Sequence, residues 1–108
     1  MEYKVKEVVT LENMKTFSDR EMEKAPKYYK EMKAKHSDID TVILFRCGDF
    51  YETYCDDAQT CHEILGVSIT SNREYRICGF PFFRLDTYLP KLIRKGYRVA
   101  ICEYDNNK

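Results

Sequence analysis

The chain has 108 residues, of which 44% are hydrophobic and 33% are charged, so it suits one globular domain rather than a disordered segment. Its 18 basic and 18 acidic residues cancel, which argues against a strong general nucleic-acid binder, because such proteins are usually basic overall. No apolar run approaches the roughly 20 residues of a membrane span, and the N-terminus does not resemble a signal peptide. We therefore expect a cytoplasmic protein without membrane contacts.

The residues that commonly hold cofactors and metals do not form a known pattern. The chain has five cysteines, an odd number, with no Cys-x-x-Cys pair, so neither a disulfide framework nor a zinc knuckle is expected. It also lacks a GxxxxGK(S/T) loop, and its four glycines are too few for a Gly-rich phosphate-binding loop. We predict no cofactor, no metal and no enzymatic activity.

The N-terminal part of the chain predicts two helices. Apolar residues recur at helical spacing over residues 11–24, with Thr10 as a candidate N-cap. Pro26 suits the first turn of a helix, so the second helix is expected to start there and to end at Lys35. Its inward-facing residues are Tyr29 and Met32, and its lysines are expected to face outward.

Two strands and a helix are predicted next. TVILFR, residues 41–46, is short, apolar and β-branched, which is typical of a buried strand. FYETY, residues 50–54, indicates a second, partly exposed strand. Asp56 and Asp57 suit the first turn of a helix, where carboxylates meet its positive dipole end, and Gly66 suits its C-terminal end.

The C-terminal part predicts a hairpin, a helix and a last strand. VSITS at 67–71 and EYRICGF at 74–80 are expected to pair. Apolar residues at 85–93 follow a helical period, but Pro90 removes a backbone hydrogen bond there, so we expect a kink or a break. YRVAICEY at 97–104 alternates as a strand does. The element order predicts an α/β fold of the α+β type, a single mixed sheet flanked by helices.

The segment CGDFYETYCDDA places an aromatic ring, Phe50, at the end of an apolar strand and a carboxylate, Glu52, two residues later. Two interpretations are open from the residues alone. Phe50 is either a core residue of the strand, or an exposed ring that enters a partner while Glu52 contacts what the ring meets. Tyr51 points to the opposite side of the strand and is predicted to enter the core.

Carboxylates near this segment leave a third, enzymatic interpretation open. Asp49, Glu52, Asp56 and Asp57 could together hold Mg²⁺, as carboxylates do in nucleases. Asp56 and Asp57 are better explained as residues of a helix start, so we do not favour a nuclease.

Three blocks of the sequence resemble the MutS DNA mismatch repair family, in its N-terminal mismatch-recognition domain. They are KAPKYYKEMKAKH, then VILFRCGDFYETYCDDAQTCHEILGVSITS, then RICGFPFFRLDTYLPKLIRKGYRVAICEY, in the family's order. The resemblance implies a mixed sheet flanked by helices, in agreement with the pattern above. It divides the chain into an N-terminal extension, partly helical, at 1–22, a MutS domain I-like region at 23–104 and a tail at 105–108.

The resemblance implies roles for the two residues of the Phe-x-Glu motif. Phe50 would stack on an unpaired base from the minor groove, and Glu52 would hydrogen-bond that base. A planar apolar ring can replace lost stacking at a base step, and opening a step costs less where pairing is already defective. A carboxylate near phosphates is repelled, so we expect Glu52 also to penalise binding to intact duplex.

The C-terminal third of the chain is locally basic, with eight basic and four acidic residues over 73–108, so a basic face is expected despite the zero net charge. These residues supply candidate phosphate contacts, among which we select Arg73, Arg76 and Arg84 as DNA-binding residues. The wider set of candidates also includes Lys91, Arg94, Lys95 and Arg98.

The expected partner is double-stranded DNA with a mismatch or distortion, bound without ATPase activity. The chain lacks the other domains of MutS, and we expect a stand-alone protein. It departs from the family in a shorter loop after residue 71, in Pro90 and in Tyr104. With few phosphates to neutralise, we expect weak binding alone, at ~10⁻⁵ to 10⁻⁴ M. The alternative is a protein-interaction module that keeps the fold and binds a protein partner through Phe50.

Overall fold

A computed structural model describes residues 3–9, 19–36, 41–72 and 74–104. Within these ranges the chain forms a sheet, four α-helices and a short 3-10 helix. In chain order the elements are β1 (Tyr3–Val9), α1 (Asp19–Lys24), α2 (Lys27–Lys35), β2 (Thr41–Cys47), β3 (Phe50–Tyr54), α3 (Cys55–Leu65), β4 (Ile69–Ser71), β5 (Arg76–Pro81), the 3-10 helix (Phe82–Arg84), α4 (Leu85–Arg94) and β6 (Arg98–Tyr104).

The sheet has the strand order β1-β6-β2-β3-β5-β4. β2 and β6 are parallel, and the other neighbouring strands are antiparallel. The predicted fold class, a mixed sheet flanked by helices, is therefore confirmed. The predicted hairpin is also present as β4 and β5, with Ile69 opposite Cys78.

The edge strand β1 was not predicted. It pairs antiparallel with β6, from Tyr3 opposite Tyr104 to Val9 opposite Val99. Adjacent charges and adjacent valines in the segment YKVKEVV interrupt the strict alternation that would predict a strand. The helix predicted over 11–24 is observed as α1 at its C-terminal end, and residues 10–18 lie outside the described part of the chain.

Two hydrophobic clusters lie on the two faces of the sheet, because side chains alternate along each strand. β2 is buried from Thr41 to Phe45, since helices cover it on both sides. One cluster joins α3 and α4 to the sheet, and the other joins α2 to it. The first cluster includes Val42, Leu44, Tyr51, Leu65, Phe80, Leu92, Val99 and Ile101, and the second includes Tyr29, Met32, Ile43, Phe45, Tyr54, Ala100 and Cys102.

Helix α2 begins after Pro26 and buries Tyr29 and Met32, as predicted. The prediction that all its lysines face outward is wrong, because Lys33 is only 4% exposed. Its ammonium group lies 3.2 Å from the carboxylate of the fully buried Asp57 and also donates to the backbone carbonyl of Thr41. A charged lysine is tolerated inside a protein only with such partners.

Helix α4 runs from Leu85 to Arg94 with Pro90 inside it, so the predicted break does not occur, and the alternative of a kink at Pro90 stays a prediction. Pro90 lies on the exposed side of the helix, whereas Leu92 is fully buried. Apolar packing of this inner side against the sheet offsets the hydrogen bond that proline cannot make. None of the helices in the described ranges is long and apolar enough to cross a membrane.

Candidate nucleic-acid interface

A tight turn between β2 and β3 places Phe50 at the start of its strand. Gly48 adopts the left-handed conformation at φ +62°, which favours glycine because a side chain is strained there. The Arg46 guanidinium donates to the Gly48 carbonyl over 2.7 Å, which closes the turn. Phe50 lies opposite Cys47 on β2 and opposite Pro81 on β5. The ring is therefore carried by a paired strand and not by a loose loop.

Phe50 is 48% exposed, whereas the next residue, Tyr51, is 5% exposed. The interpretation of Phe50 as a core residue is therefore wrong, and Tyr51 enters the core as predicted. Tyr51 packs against Phe80, with ring centroids 5.9 Å apart, and its hydroxyl donates to the Glu103 carboxylate over 3.3 Å. Strand alternation explains both positions, since one face of β3 at this end is covered and the other is open.

Two further aromatic rings lie next to this turn and were not selected from the sequence. Phe82 and Phe83 are 40% and 68% exposed, and they contact edge to face at 5.9 Å. The backbone N–H of Phe82 donates to the carbonyl of Asp49 over 2.8 Å. The Arg46 guanidinium lies over the Phe82 ring, 4.1 Å from its centroid. Arg46 is the cross-strand partner of Tyr51, so its side chain lies on the opposite face of the sheet from Phe50. We call Arg46, Phe50, Phe82 and Phe83, which border the β2–β3 turn from the two faces, the aromatic rim.

The positions of Phe82 and Phe83 follow from the pairing of β3 with β5. Phe82 and Phe83 directly follow β5, which pairs antiparallel with β3. Antiparallel pairing brings the end of one strand beside the start of the other. Once this pairing is known, the two phenylalanines that follow β5 are expected to lie near the start of β3, where Phe50 is.

Glu52 lies two residues after Phe50 on β3 and is half-buried. The hydroxyl of Tyr54 donates to its carboxylate oxygen Oε1 over 3.0 Å. Burial and the nearby Glu52 carboxylate raise the pKa of the Cys47 thiol. Glu52 is therefore part of a small polar group with Cys47 and Tyr54 rather than a freely moving surface carboxylate.

Arg76, one of the three selected DNA-binding residues, is engaged inside the domain. Its guanidinium donates to the Glu21 carboxylate over 2.5 Å and 2.9 Å and to the Asp56 carboxylate over 2.7 Å. The Arg76 backbone N–H also donates to Glu21 over 2.9 Å. This cluster joins α1, α3 and β5. The predicted phosphate contact of Arg76 stays a prediction, and the observed contacts indicate a structural role instead.

The Arg76 cluster predicts an acid-sensitive stability. Hydrogen bonds from Arg76 hold the pKa of Glu21 below its ordinary value of 4.5, although partial burial opposes this shift. Since the folded-state pKa is the lower one, the contribution is fully present above about pH 4.5 and is lost as pH falls through the folded-state pKa. We expect urea denaturation from about pH 6 to about pH 3 to show this loss, with a shallower acid slope in Arg76→Gln. Lys91→Gln, at an exposed lysine, is the control, and an unchanged slope in Arg76→Gln would contradict the prediction.

The other selected arginines differ in position. Arg84 is exposed and ends the 3-10 helix, directly after Phe83 of the aromatic rim. Arg73 lies outside the described residues. Of the wider set, Lys91, Arg94 and Lys95 are exposed and Arg98 is half-buried.

The carboxylates that suggested a nuclease do not form a metal site. Asp57 pairs with Lys33, and Asp56 pairs with Arg76. Within the described ranges, no three His, Cys, Asp or Glu side chains are arranged to hold a metal ion. Asp56 and Asp57 therefore serve the fold through these ion pairs.

The sequence matches MutS domain I across residues 23–108. The DNA mismatch repair protein MutS of Phocaeicola vulgatus is 54% identical over 82 residues, which cover 71% of this chain and 9% of that protein. The proteins of the same name from Porphyromonas gingivalis and Thermotoga neapolitana are 49% and 39% identical, over 69% and 76% of this chain and 9% and 10% of their own lengths. The chain thus spans about a tenth of the length of these relatives. Because the family match covers most of its length, the chain belongs to the MutS domain I family.

Proposed function

We propose that this domain binds double-stranded DNA and senses mispaired or distorted sites, with Phe50 as the ring that enters the base stack. The observation that carries this proposal is the exposure of Phe50, 48%, on a strand end that a glycine turn and two neighbouring strands hold in place. A fixed apolar ring loses little entropy on insertion, so most of its stacking energy is available for discrimination.

The remainder of the aromatic rim suits the DNA backbone beside the inserted ring. The Arg46 guanidinium is stacked on Phe82, which leaves a planar cation near the surface for a phosphate. Phe83 and Arg84 extend this surface along the 3-10 helix. We propose Arg46 and Arg84 as the phosphate contacts of this domain, in place of Arg76.

Selectivity in this proposal comes from deformability rather than from base sequence. A mismatched step is already partly unstacked, so the cost of opening it for Phe50 is smaller than in intact duplex. Glu52 adds a penalty for intact duplex because its carboxylate approaches phosphates without forming a new hydrogen bond. No step needs ATP, and the sequence carries no P-loop to bind it.

The alternative is a protein partner that covers the aromatic rim. The zero net charge favours it, since phosphate neutralisation supplies much of DNA affinity. Two observations favour DNA instead: Arg46 and Arg84 lie at the rim, whereas Asp56 and Asp57 are paired elsewhere. Asp49, an exposed carboxylate next to Phe50 in the chain, favours the protein partner, because it would repel phosphates.

Chemical-shift mapping of labelled protein tests this function. The duplexes are matched in sequence, and one of them carries a single mismatch or one unpaired base. At low salt we expect a dissociation constant of ~10⁻⁵ to 10⁻⁴ M, with the largest shifts at Phe50, Glu52 and Phe82 and a preference for the distorted duplex. Glu63, exposed on α3, is the internal control. Shifts confined to sites away from the aromatic rim, or none at all, would contradict the proposal.

A further inference from the structure

The carboxylate of Glu52 is oriented by a hydroxyl from its own strand. Tyr54 lies two residues further along β3, on the same face, and its hydroxyl donates to Glu52 Oε1 over 3.0 Å. A hydrogen bond to an ionised carboxylate is stronger than one between neutral groups. The bond therefore restricts a side chain that would otherwise sample several rotamers.

The ring that carries this hydroxyl is itself held in place. Tyr54 is 9% exposed and packs against three aromatic rings, with centroids 5.4 Å from Tyr29, 5.8 Å from Tyr75 and 6.2 Å from Phe45. Burial is the main cause that raises the pKa of Tyr54 well above its usual range, so the hydroxyl stays protonated and remains a donor. A buried ring that packs against three other aromatic rings has little freedom to move its hydroxyl away from Glu52.

The neighbouring strand leaves room for Glu52 to lie in this orientation. Gly79 on β5 is the cross-strand partner of Glu52. A Cβ at Gly79 would lie 3.4 Å from Cγ of Glu52, an ordinary van der Waals distance, and 3.2 Å from the backbone oxygen of Tyr51, which is closer than most such contacts. The stem of Glu52 therefore lies over Gly79 on β5 while Tyr54 holds its carboxylate.

We propose that Tyr54 is a positioning residue for Glu52, and that its hydroxyl sets the selectivity for distorted over intact duplex from a buried position behind the DNA-facing surface. The inference rests on the function proposed above. A carboxylate held in one orientation can accept a hydrogen bond from a displaced base without rearrangement, and its charge stays where it penalises intact duplex.

Tyr54→Phe is the test, because it removes one oxygen atom and keeps the ring. We measure the ratio of the dissociation constants for matched and mismatched duplex. Loss of a net hydrogen bond of ordinary strength predicts a ratio about fivefold smaller. The matched control is Tyr51→Phe. Tyr51 lies on the opposite face of β3, and its hydroxyl also donates to a carboxylate, that of Glu103 on β6. We expect the control to retain the ratio.

A double-mutant cycle separates positioning from a general effect on the fold. In a Glu52→Ala background, Tyr54→Phe is expected to change the ratio no further, because the group that it positions is absent.

The outcomes distinguish this inference from the proposed function. If the unmodified protein binds with a preference and Tyr54→Phe retains the full ratio, the positioning role is overturned while the function stands. An equal loss in Tyr51→Phe, or an undiminished effect of Tyr54→Phe in the Glu52→Ala background, also overturns it. If the unmodified protein shows no preference between the duplexes, the proposed function fails and the positioning role fails with it.

Discussion

Replacement of Phe50 by alanine is expected to weaken binding to mismatched duplex by roughly 5- to 150-fold, which corresponds to the ~1–3 kcal/mol that base–aromatic stacking contributes. Because the ring is 48% exposed in the free domain, the same change should cost about 1 kcal/mol or less in the free energy of unfolding. Titration of both duplexes, together with urea denaturation, measures the two effects separately.

Phe83→Ala is the matched control for this substitution, since Phe83 is even more exposed, at 68%, and lies in the same aromatic rim. We expect it to weaken binding to both duplexes by a similar, smaller factor, because a ring beside the DNA backbone does not sense stacking. An equal loss of mismatch preference in the two variants would show that the aromatic rim acts as a general apolar surface and that Phe50 has no special role as a wedge.

Replacement of Asp57 by alanine is expected to lower the free energy of unfolding by about 3–5 kcal/mol, because it leaves the buried ammonium group of Lys33 without its counter-charge. The same carboxylate accepts the backbone N–H of Ile43 over 3.0 Å, so this donor is also left unpaired. A loss of this size is a large fraction of the ~5–15 kcal/mol that stabilises a typical domain.

Urea denaturation at neutral pH measures this change, with Glu63→Ala as the control on the same helix. Glu63 is exposed, and its described partner is the Gln59 amide at 2.9 Å, so its removal should change the stability by ~0.5 kcal/mol or less. Asp57→Asn keeps an acceptor for Ile43 and should therefore cost less than Asp57→Ala. Equal stabilities of Asp57→Ala and Glu63→Ala would show that the buried pair does not stabilise the fold.

The buried pair connects stability to the candidate site. Lys33 belongs to α2, Asp57 to α3 and Ile43 to β2, so one carboxylate joins a helix from each side of the sheet to its central strand. β3, which carries Phe50 and Glu52, lies between β2 and α3 in the chain and pairs with β2. A rigid platform of this kind is what a wedge residue needs, since a ring that moves freely loses its insertion energy as entropy.

Much of the architecture follows from local pattern. The apolar run at 41–46 predicts a strand covered on both faces, and the helical spacing of apolar residues at 85–93 predicts an amphipathic helix. The same reasoning correctly predicted that Tyr51 lies in the core, because side chains alternate along a strand. For Phe50, however, pattern left two interpretations open, and its exposure depended on what covers each face of β3.

What local pattern did not predict are the contacts between residues far apart in the chain. Lys33 and Asp57 are 24 residues apart, and Arg76 and Glu21 are 55 residues apart. Charged residues are usually exposed, so local pattern predicts an exposed side chain for each of these residues when it is considered alone. Their burial or pairing therefore contradicted the expectations for Lys33 and shifted the interpretation of Arg76.

The sequence by itself determined the fold class, the family and the strand that bears Phe50 and Glu52, because periodicity, turn residues and motif spacing act over a few neighbouring residues. Tertiary structure decided that Phe50 faces outward, that Phe82 and Phe83 lie next to the β2–β3 turn with Arg46 over Phe82, and that Tyr54 holds Glu52. These outcomes depend on which strands pair and which helices cover them, and that pairing is set by the packing of the whole chain rather than by any segment of it.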